Sequence, residues 1–224
     1  MRLFHGSKEI IEKPLFGYGS PFNDYGKGFY CTKEIEMAKE WSCTSDHDGY
    51  ANSYEIDFSD LKILNLNDTE YTILHWLTIL LKNRSFRLSN PIARDAKDYL
   101  LANFSIRTEG YDVITGYRAD DSYFSFASDF LNNTISVNKL AKAMKLGELG
   151  EQVVLVSQKA FDRLTFTGAE KAEREKYFVL RSRRDKRARE AYLFGDRKRS
   201  YTSDELYIID IMRKEIKSHD PRLQ

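Results

Sequence analysis

The chain has 224 residues, of which 35 are Lys or Arg and 34 are Asp or Glu, so its formal net charge is +1. Its 42% apolar content, with 14 Tyr and 14 Phe, excludes intrinsic disorder for most of the chain. The two Cys cannot form a disulfide framework and no four-ligand Cys/His zinc spacing occurs, so we expect no metal. This length favours one large domain, or one domain with an appendage.

The hydropathy pattern predicts no membrane-spanning segment. The longest apolar stretch, Ile73 to Leu81, is about half the length of a membrane span and is interrupted by His75 and Thr78. Met1 leads at once into an apparent strand, which leaves no room for a signal peptide. We therefore expect a protein of the reducing cytoplasm without a membrane partner.

The first half of the chain predicts an irregular alternation of strands and helices. Leu3 to His5 predicts a short strand, and the Gly-, Pro-, Asn- and Asp-rich segment 14–28 predicts a loop. A brief strand at 29–32 leads into a helix to about residue 42, with Thr32 as its cap. The remaining predictions for this half are strands at 53–58 and 61–66 and helices at 71–81 and 90–103.

The second half predicts fewer strands and longer helices. YDVIT at 111–115 and QVVLVS at 152–157 predict buried strands. Apolar spacing predicts helices at 121–131, 136–146, about 169–192 and 203–216. Short strands among helices, without a regular β-α-β rhythm, predict an α+β fold.

The net charge near zero conceals a basic segment. Residues 170–200 carry 12 Lys or Arg against 6 Asp or Glu, and the densest run is RSRRDKRAR at 181–189. One interpretation is a solvated helix face with i,i+4 ion pairs. A second is a surface that contacts phosphate groups, and a third is a site for an acidic protein. The candidate phosphate contacts are Arg181, Arg183, Arg184, Lys186 and Arg187.

Three segments carry a resemblance to a known family: LFHGS at 3–7, YGKGFYCTKEIEMAKEW at 25–41 and EQVVLVS at 151–157. In this order they resemble the catalytic domains of ADP-ribosyltransferases, in the branch of diphtheria-like toxins and poly(ADP-ribose) polymerases. That branch has a His at the end of its first strand, a GKGxY segment with a second aromatic eleven residues on, and a Glu that opens a late strand. The chain is most similar to an uncharacterised bacterial family of this superfamily, in which Gln tends to replace that Glu.

The resemblance spans residues 2–166 and implies both an architecture and a co-substrate. It implies a split antiparallel sheet flanked by helices over residues 1–167, with a basic helical extension at 168–224 packed on the same domain. It also implies a site for NAD. His5 would hydrogen-bond a hydroxyl of the adenosine ribose, and Gly6 and Ser7 would meet the nicotinamide amide, with glycine allowing a close approach. For His5 considered alone, a satisfied histidine at a strand end is the alternative.

Two aromatic residues would hold the nicotinamide. By the same resemblance Tyr30, which follows Gly28 in the GKGFY segment, and Trp41 would stack on the cationic ring from two sides. Trp41 stands where the family has Tyr, and Ala38 stands where the polymerases have a Ser near the nicotinamide amide. Ordinary packing between a strand and the helix behind it is the alternative for both aromatic residues.

The third segment places Gln152 at the position of the family's catalytic Glu. A Glu there would bond the 2′-hydroxyl of the nicotinamide ribose and stabilise the positive charge that develops beside it. Gln accepts the bond without the charge, and Glu151 should point to the opposite face of the strand. Asp120 and Asp121 are auxiliary acid or base candidates, although Asp121 also suits a helix cap. Gln152 otherwise simply opens a strand.

These residues imply an NAD-dependent mono-ADP-ribosyltransferase with His5, Tyr30 and Gln152 as its catalytic set. Its acceptor would be an intracellular protein or nucleic acid. By analogy it would serve as a bacterial toxin or defence effector that an antitoxin partner neutralises. The alternative is a catalytically weak or inactive module that binds NAD or ADP-ribose. A third hypothesis is a nucleic-acid-binding protein of unrelated fold that functions through its basic segment.

Overall fold

The computed structural model describes residues 1–88, 90–119, 121–146, 150–194 and 205–223. Its strands are β1 Arg2–Ser7, β2 Phe29–Thr32, β3 Gly49–Ile56, β4 Ile63–Asn65, β5 Val113–Tyr117, β6 Glu151–Leu155 and β7 Leu164–Ala172. Its helices are α1 Ile35–Ser42, α2 Ile73–Asn83, α3 Pro91–Asn103, α4 Asp121–Leu131, α5 Val137–Ala143, α6 Gln158–Asp162, α7 Arg174–Phe194 and α8 Ile208–Arg213, and a 3₁₀ turn spans Pro221–Leu223. The predicted α+β class is confirmed.

Within the described residues, the strands form one mixed sheet in the order β4-β5-β6-β2-β1-β3-β7. Neighbours pair antiparallel except β4 and β5, which are parallel. The sheet brings together segments distant in sequence, because β2 lies between β1 and β6. Thr32 of β2 pairs with Gln152 of β6, and Phe4 of β1 pairs with Thr32. The strands of the three segments that carry the family resemblance therefore lie side by side at the centre of the sheet.

Apolar side chains alternate between two cores along the central strands. Val154 belongs to the larger core, with the buried face of α2 and helices α3, α4, α5 and α8. Val153 and Leu155 belong to the second core, with Cys31 and Phe161 of α6. This alternation is what extended backbone dictates, and it fixes the register of β6. No helix among the described residues has the length and apolar character to cross a membrane.

Most local predictions are confirmed, because local signals determine those elements. At α3, Oδ1 of Asn90 accepts a hydrogen bond from the backbone N–H of Ala93 at 2.7 Å, and Pro91 occupies the first turn. Helix α4 has the predicted bounds. Helix α1 begins later than predicted, at Ile35, with Glu34 as its N-cap residue, whereas Thr32 accepts a hydrogen bond from the backbone N–H of Glu34.

The prediction of a helix from 169 was wrong at its start. Residues Leu164–Ala172 form β7, which pairs with β3, and α7 begins only at Arg174. The backbone hydrogen bonds of β3 decide this segment, whose Gly, Glu and Lys residues have little strand preference. The predicted domain boundary between 167 and 168 therefore falls inside a strand. Of the predicted helix 203–216, α8 covers Ile208–Arg213, and residues 203–204 lie outside the described chain.

Candidate functional site

A cleft of about 480 Å³ lies where β1, β2 and β6 face the 8–28 loop and helix α7. This volume is typical of small-molecule and cofactor sites, which measure about 300–1,000 Å³. The residues predicted from sequence that line this cleft are His5, Gly6, Gly28, Tyr30, Trp41, Gln152 and Arg181. They come from β1, β2, α1, β6, α7 and one loop, so the fold gathers residues that are far apart in the chain.

The hydrogen bond that Nδ1 of His5 donates determines the tautomer of the ring. Nδ1 lies 2.7 Å from the carbonyl oxygen of Tyr30, and because a carbonyl only accepts, Nδ1 carries the proton. The ring stacks on Phe29 with centroids 4.3 Å apart. Burial lowers the pKa of His5, and the bond to Tyr30 opposes that shift only in part. The imidazole is therefore neutral near pH 7, and Nε2 is left as a hydrogen-bond acceptor.

The two glycines are required by packing within the protein. A Cβ on Gly6 would lie 2.1 Å from the carbonyl oxygen of Ala38, where α1 crosses β1. A Cβ on Gly28 would lie 2.6 Å from the side chain of Val154. Gly6 thus allows a close approach of helix to strand, and because it also lines the cleft, its predicted approach to a ligand stays a prediction.

Ser7 does not line the cleft. Its hydroxyl donates to the carbonyl oxygen of Glu9 and accepts from Nδ2 of Asn52 at 2.9 Å. The hydroxyl therefore holds the start of the 8–28 loop against β3. This placement corrects the expectation that Ser7 contacts the ligand.

Tyr30 is anchored at its hydroxyl. That hydroxyl donates to the carbonyl oxygen of Gly26 at 2.6 Å and accepts from the backbone N–H of Tyr25 at 3.1 Å. Burial raises the pKa of Tyr30 well above its usual range, so the phenol stays neutral. Because both polar functions are engaged by the loop, the part of Tyr30 available to a ligand is its ring.

Trp41 already has a cation on one face. The guanidinium carbon of Arg118 lies 3.7 Å from the ring centroid, a cation–π geometry. The indole Nε1 is buried and has no hydrogen-bond partner within the described chain. The ring that sequence reasoning assigned to nicotinamide stacking is therefore covered on that face by Arg118, which also lines the cleft.

The two residues that open β6 have different surroundings. Gln152 is 5% exposed and lines the cleft, and its Oε1 is buried without a hydrogen-bond partner among the described residues. A buried carbonyl left in this way costs free energy, which a ligand N–H or O–H would recover. Glu151 instead accepts from Nζ of Lys33 at 2.5 Å and from Nδ2 of Asn67 at 2.7 Å.

Three charged residues that line the cleft were missed by sequence reasoning: Arg118, which covers Trp41, and the pair Asp24 and Arg84. Oδ1 of Asp24 lies 3.6 Å from Nε of Arg84, and Oδ2 accepts from the backbone N–H of Ala119 at 3.0 Å. Nη1 of Arg84 donates to the carbonyl oxygen of Phe22 at 2.8 Å. These contacts tie the 8–28 loop to the end of α2 and to the segment after β5. Only the fold brings them together, and the loop composition held no signal for them.

The auxiliary carboxylates predicted from sequence stay untested. Asp120 lies outside the described residues, and so does the side chain of Asp121, which begins α4. Among the side chains that are described, no group of three or more His, Cys, Asp or Glu is placed to hold a metal ion.

The basic run on α7 divides into three kinds of residue. Arg184 makes a two-pronged ion pair with Glu40, with Nε and Nη2 at 3.0 and 2.8 Å from the carboxylate oxygens. Glu40 is 3% exposed, so Arg184 is a structural residue and the expectation that it contacts phosphate is corrected. Arg181 lines the cleft. The outward face carries Arg183, Lys186 and Arg187, which are exposed.

The fold and the cleft define an α+β protein with a ligand-sized site across the centre of its sheet. Residues 1–166 match the model of a family described as a protein of unknown function, DUF3990, and the chain belongs to that family. Searches of curated proteins and of solved structures found no match. Helix α7, with Arg181 and Arg184, lies after the matched residues.

Proposed function

We propose that the protein binds NAD in this cleft and transfers a single ADP-ribose to a macromolecular acceptor, with the sheet in the role of the split sheet of the ADP-ribosyltransferases. The observation that carries the proposal is the common location of four residues. His5, Tyr30 and Trp41 share the cleft with Gln152, and these are the positions that the family resemblance assigns to the NAD site. An accidental resemblance in three short segments would not be expected to converge on one ligand-sized cavity.

The polar atoms suit the hydroxyls of a dinucleotide. Nε2 of neutral His5 accepts a hydrogen bond from a ribose hydroxyl, and Oε1 of Gln152 accepts one from the other ribose. The ring of Tyr30, held by its hydroxyl, offers an apolar surface to the nicotinamide. If the pyridinium uses the face of Trp41 now covered by Arg118, the guanidinium must leave it, because one face does not hold two cations.

The chemistry is cleavage of a glycosidic bond. The bond between C1′ and the nicotinamide nitrogen breaks, and its electron pair leaves with neutral nicotinamide. The acceptor's oxygen or nitrogen forms the new bond to C1′ and loses its proton to solvent or a base. The transition state resembles an oxocarbenium ion, as in glycoside hydrolysis. Gln152 orients the ribose through its 2′-hydroxyl but supplies no negative charge to that cation, so slow turnover is expected.

One observation favours a second candidate, a module that binds NAD or ADP-ribose without chemistry. Gln152 is neutral, and the neighbouring carboxylate of Glu151 is engaged by Lys33 and Asn67 and does not line the cleft. Without a carboxylate beside the ribose, ground-state binding would be retained while stabilisation of the transition state is lost.

The test separates binding, cleavage and transfer. Purified protein is titrated with NAD by calorimetry, and nicotinamide release is then measured. NAD labelled in its adenosine half is finally incubated with the protein and a cell lysate, which is split into protein and nucleic-acid fractions. Transfer predicts label in one fraction together with nicotinamide release. Binding without release supports the module, and absence of binding rejects both candidates.

A matched pair of variants connects the result to the cleft. Gln152→Leu removes the unpartnered carbonyl, so it should weaken NAD binding and slow nicotinamide release. Gln158→Leu makes the same change on an exposed position of α6 and should alter neither. Equal effects in the two variants would count against the cleft as the site.

A further inference from the structure

Helix α7 brings a cation into the cleft from outside the part of the chain that matches the family. Arg181 lines the cleft together with Arg118, which follows β5. Arg118 lies inside the residues 1–166 that match the family, whereas Arg181 lies after them. The family resemblance assigned no role to either residue.

Helix α1 contacts Arg118 and the helix that carries Arg181. Arg118 stacks on Trp41, and Arg184 pairs with Glu40, the residue immediately before Trp41. Arg181 precedes Arg184 by three residues, so the two share the inner face of α7. The Glu40 pair therefore fixes the rotation of α7 that turns Arg181 toward the cleft.

The chemistry of these groups selects phosphate. Guanidinium forms two parallel charge-assisted hydrogen bonds with phosphate oxygens, and it is the side chain that best combines such recognition with stacking on an aromatic ring. Asp24 is the one carboxylate in the described lining of the cleft, and it lies beside Arg84. The diphosphate is the part of a dinucleotide that carries negative charge, so it is the part that suits a guanidinium lining the cleft, such as Arg181.

We propose that Arg181 and Arg118 bind the diphosphate of the dinucleotide, which makes α7 part of the co-substrate site. This inference rests on the proposed function for the identity of the dinucleotide, and on the cleft alone for the anion. When the diphosphate binds, it attracts Arg118 away from the face of Trp41, and that face becomes available to the nicotinamide. Diphosphate and nicotinamide binding are then coupled through one side chain.

The experiment compares two arginines of the same helix. Arg181→Gln is measured against Arg183→Gln, which removes the same charge from an exposed position two residues away. The ligands are ADP-ribose, titrated by calorimetry, and inorganic pyrophosphate. We expect Arg181→Gln to weaken both by at least about tenfold, since a charge-assisted bond is lost, and Arg183→Gln to weaken them less than about twofold.

The outcomes are distinguishable. Equal weakening in the two variants, or none in Arg181→Gln, overturns the inference. Pyrophosphate that binds the wild type and not Arg181→Gln, with no binding of NAD or ADP-ribose, keeps the anion site and rejects the proposed function. The urea midpoint of each variant checks folding. If Arg181→Gln does not fold, Arg181→Lys keeps the charge without the fork, and it should bind both ligands more weakly than Arg183→Lys does.

Discussion

The two walls of the cleft are built differently. The sheet wall consists of β1, β2 and β6. The apolar side chains of these strands are packed in the two cores, where Leu3, Cys31 and Val154 are fully buried. The facing wall consists of the 8–28 loop and α7. In that loop Tyr18 is 86% exposed and Phe22 is 68% exposed. The sheet wall is held by packing along its whole length, whereas the facing wall combines local packing, at Tyr25 of the loop and Tyr177 of α7, with polar contacts.

This difference separates two tasks. His5, Tyr30 and Gln152 are on the sheet wall, where neighbouring strands fix their positions, as residues that orient a reacting ligand require. Arg181 is on the facing wall, whose exposed positions can differ between related chains without disturbing the cores. The sheet wall therefore suits the proposed chemistry, and the facing wall suits the choice of ligand.

The largest expected effect comes from removing the ion pair that holds the facing wall. Arg184→Ala leaves Glu40 buried without its partner, and we expect a loss of about 3 kcal/mol in the free energy of unfolding, the low end of the range because Arg184 is partly exposed. Urea denaturation measures it. Adding Glu40→Gln to this variant should recover part of the loss, because the buried charge is then removed.

Arg183→Ala is the control for this prediction. It removes the same type of side chain from the adjacent, exposed position, and the expected change is within about 0.5 kcal/mol. If the two variants were equally stable, the Glu40 pair would not be what holds α7, and the contrast between the walls would fail.

The next largest expected loss of stability comes from a substitution in the sheet wall. Gly6→Ala places a methyl group 2.1 Å from a backbone oxygen of α1, so helix and strand must separate. We expect a loss of about 1–3 kcal/mol in urea denaturation. Ser7→Ala, at the next position, loses only the loop bonds of a half-buried hydroxyl and should cost about 1 kcal/mol or less. A smaller effect at Gly6 than at Ser7 would show that β1 and α1 tolerate a wider spacing.

Sequence reasoning succeeded where the signal was local and failed where it was not. The Asn90 cap and the apolar spacing of α4 depend on residues within a few positions, so both helices were predicted. Strand β7 was missed because its stability comes from pairing with β3, more than a hundred residues earlier in the chain.

The candidate site shows the same limit. The family resemblance indicated His5, Tyr30, Trp41 and Gln152, all of which line the cleft. It gave no sign that Arg118 covers Trp41 or that Arg184 pairs with Glu40, because residues 77 and 144 positions apart meet only in the folded protein. The basic run looked uniform in sequence, and only the orientation of α7 separates its structural, cleft-lining and exposed arginines.

The third prediction tests whether a negative charge at position 152 is all that the sheet wall lacks for fast cleavage of NAD. Gln152→Glu places a carboxylate where the proposed mechanism develops a cation. A charge pair 4 Å apart at an effective dielectric of 20 is worth about 4 kcal/mol, and desolvation removes much of it, so we expect at least about tenfold faster nicotinamide release. Burial raises the pKa of a carboxyl group, so the gain should increase with pH. Gln158→Glu, on an exposed position, should release nicotinamide at the wild-type rate.

A Gln152→Glu variant that binds NAD and shows no faster release at any pH from 6 to 9 would contradict this prediction. It would mean that the ribose does not approach residue 152, and the binding module would become the better account of the cleft.

The smallest expected effect concerns His5, the sheet-wall residue whose burial lowers its pKa. As the pH falls below about 6.5, the unfolded chain takes up a proton at this position while the folded protein resists it, so stability decreases. His5→Asn retains a donor for the carbonyl oxygen of Tyr30 but does not titrate. Between pH 7 and 5 the wild type should therefore lose more stability than the variant, by on the order of 1 kcal/mol in urea denaturation. His75, whose pKa burial also lowers, is present in both proteins and cancels in the comparison.

Parallel pH profiles of the wild type and His5→Asn would mean that the imidazole of His5 is readily protonated in the folded state. It would then lose Nε2 as an acceptor below neutral pH, and ligand binding would weaken over the same pH range.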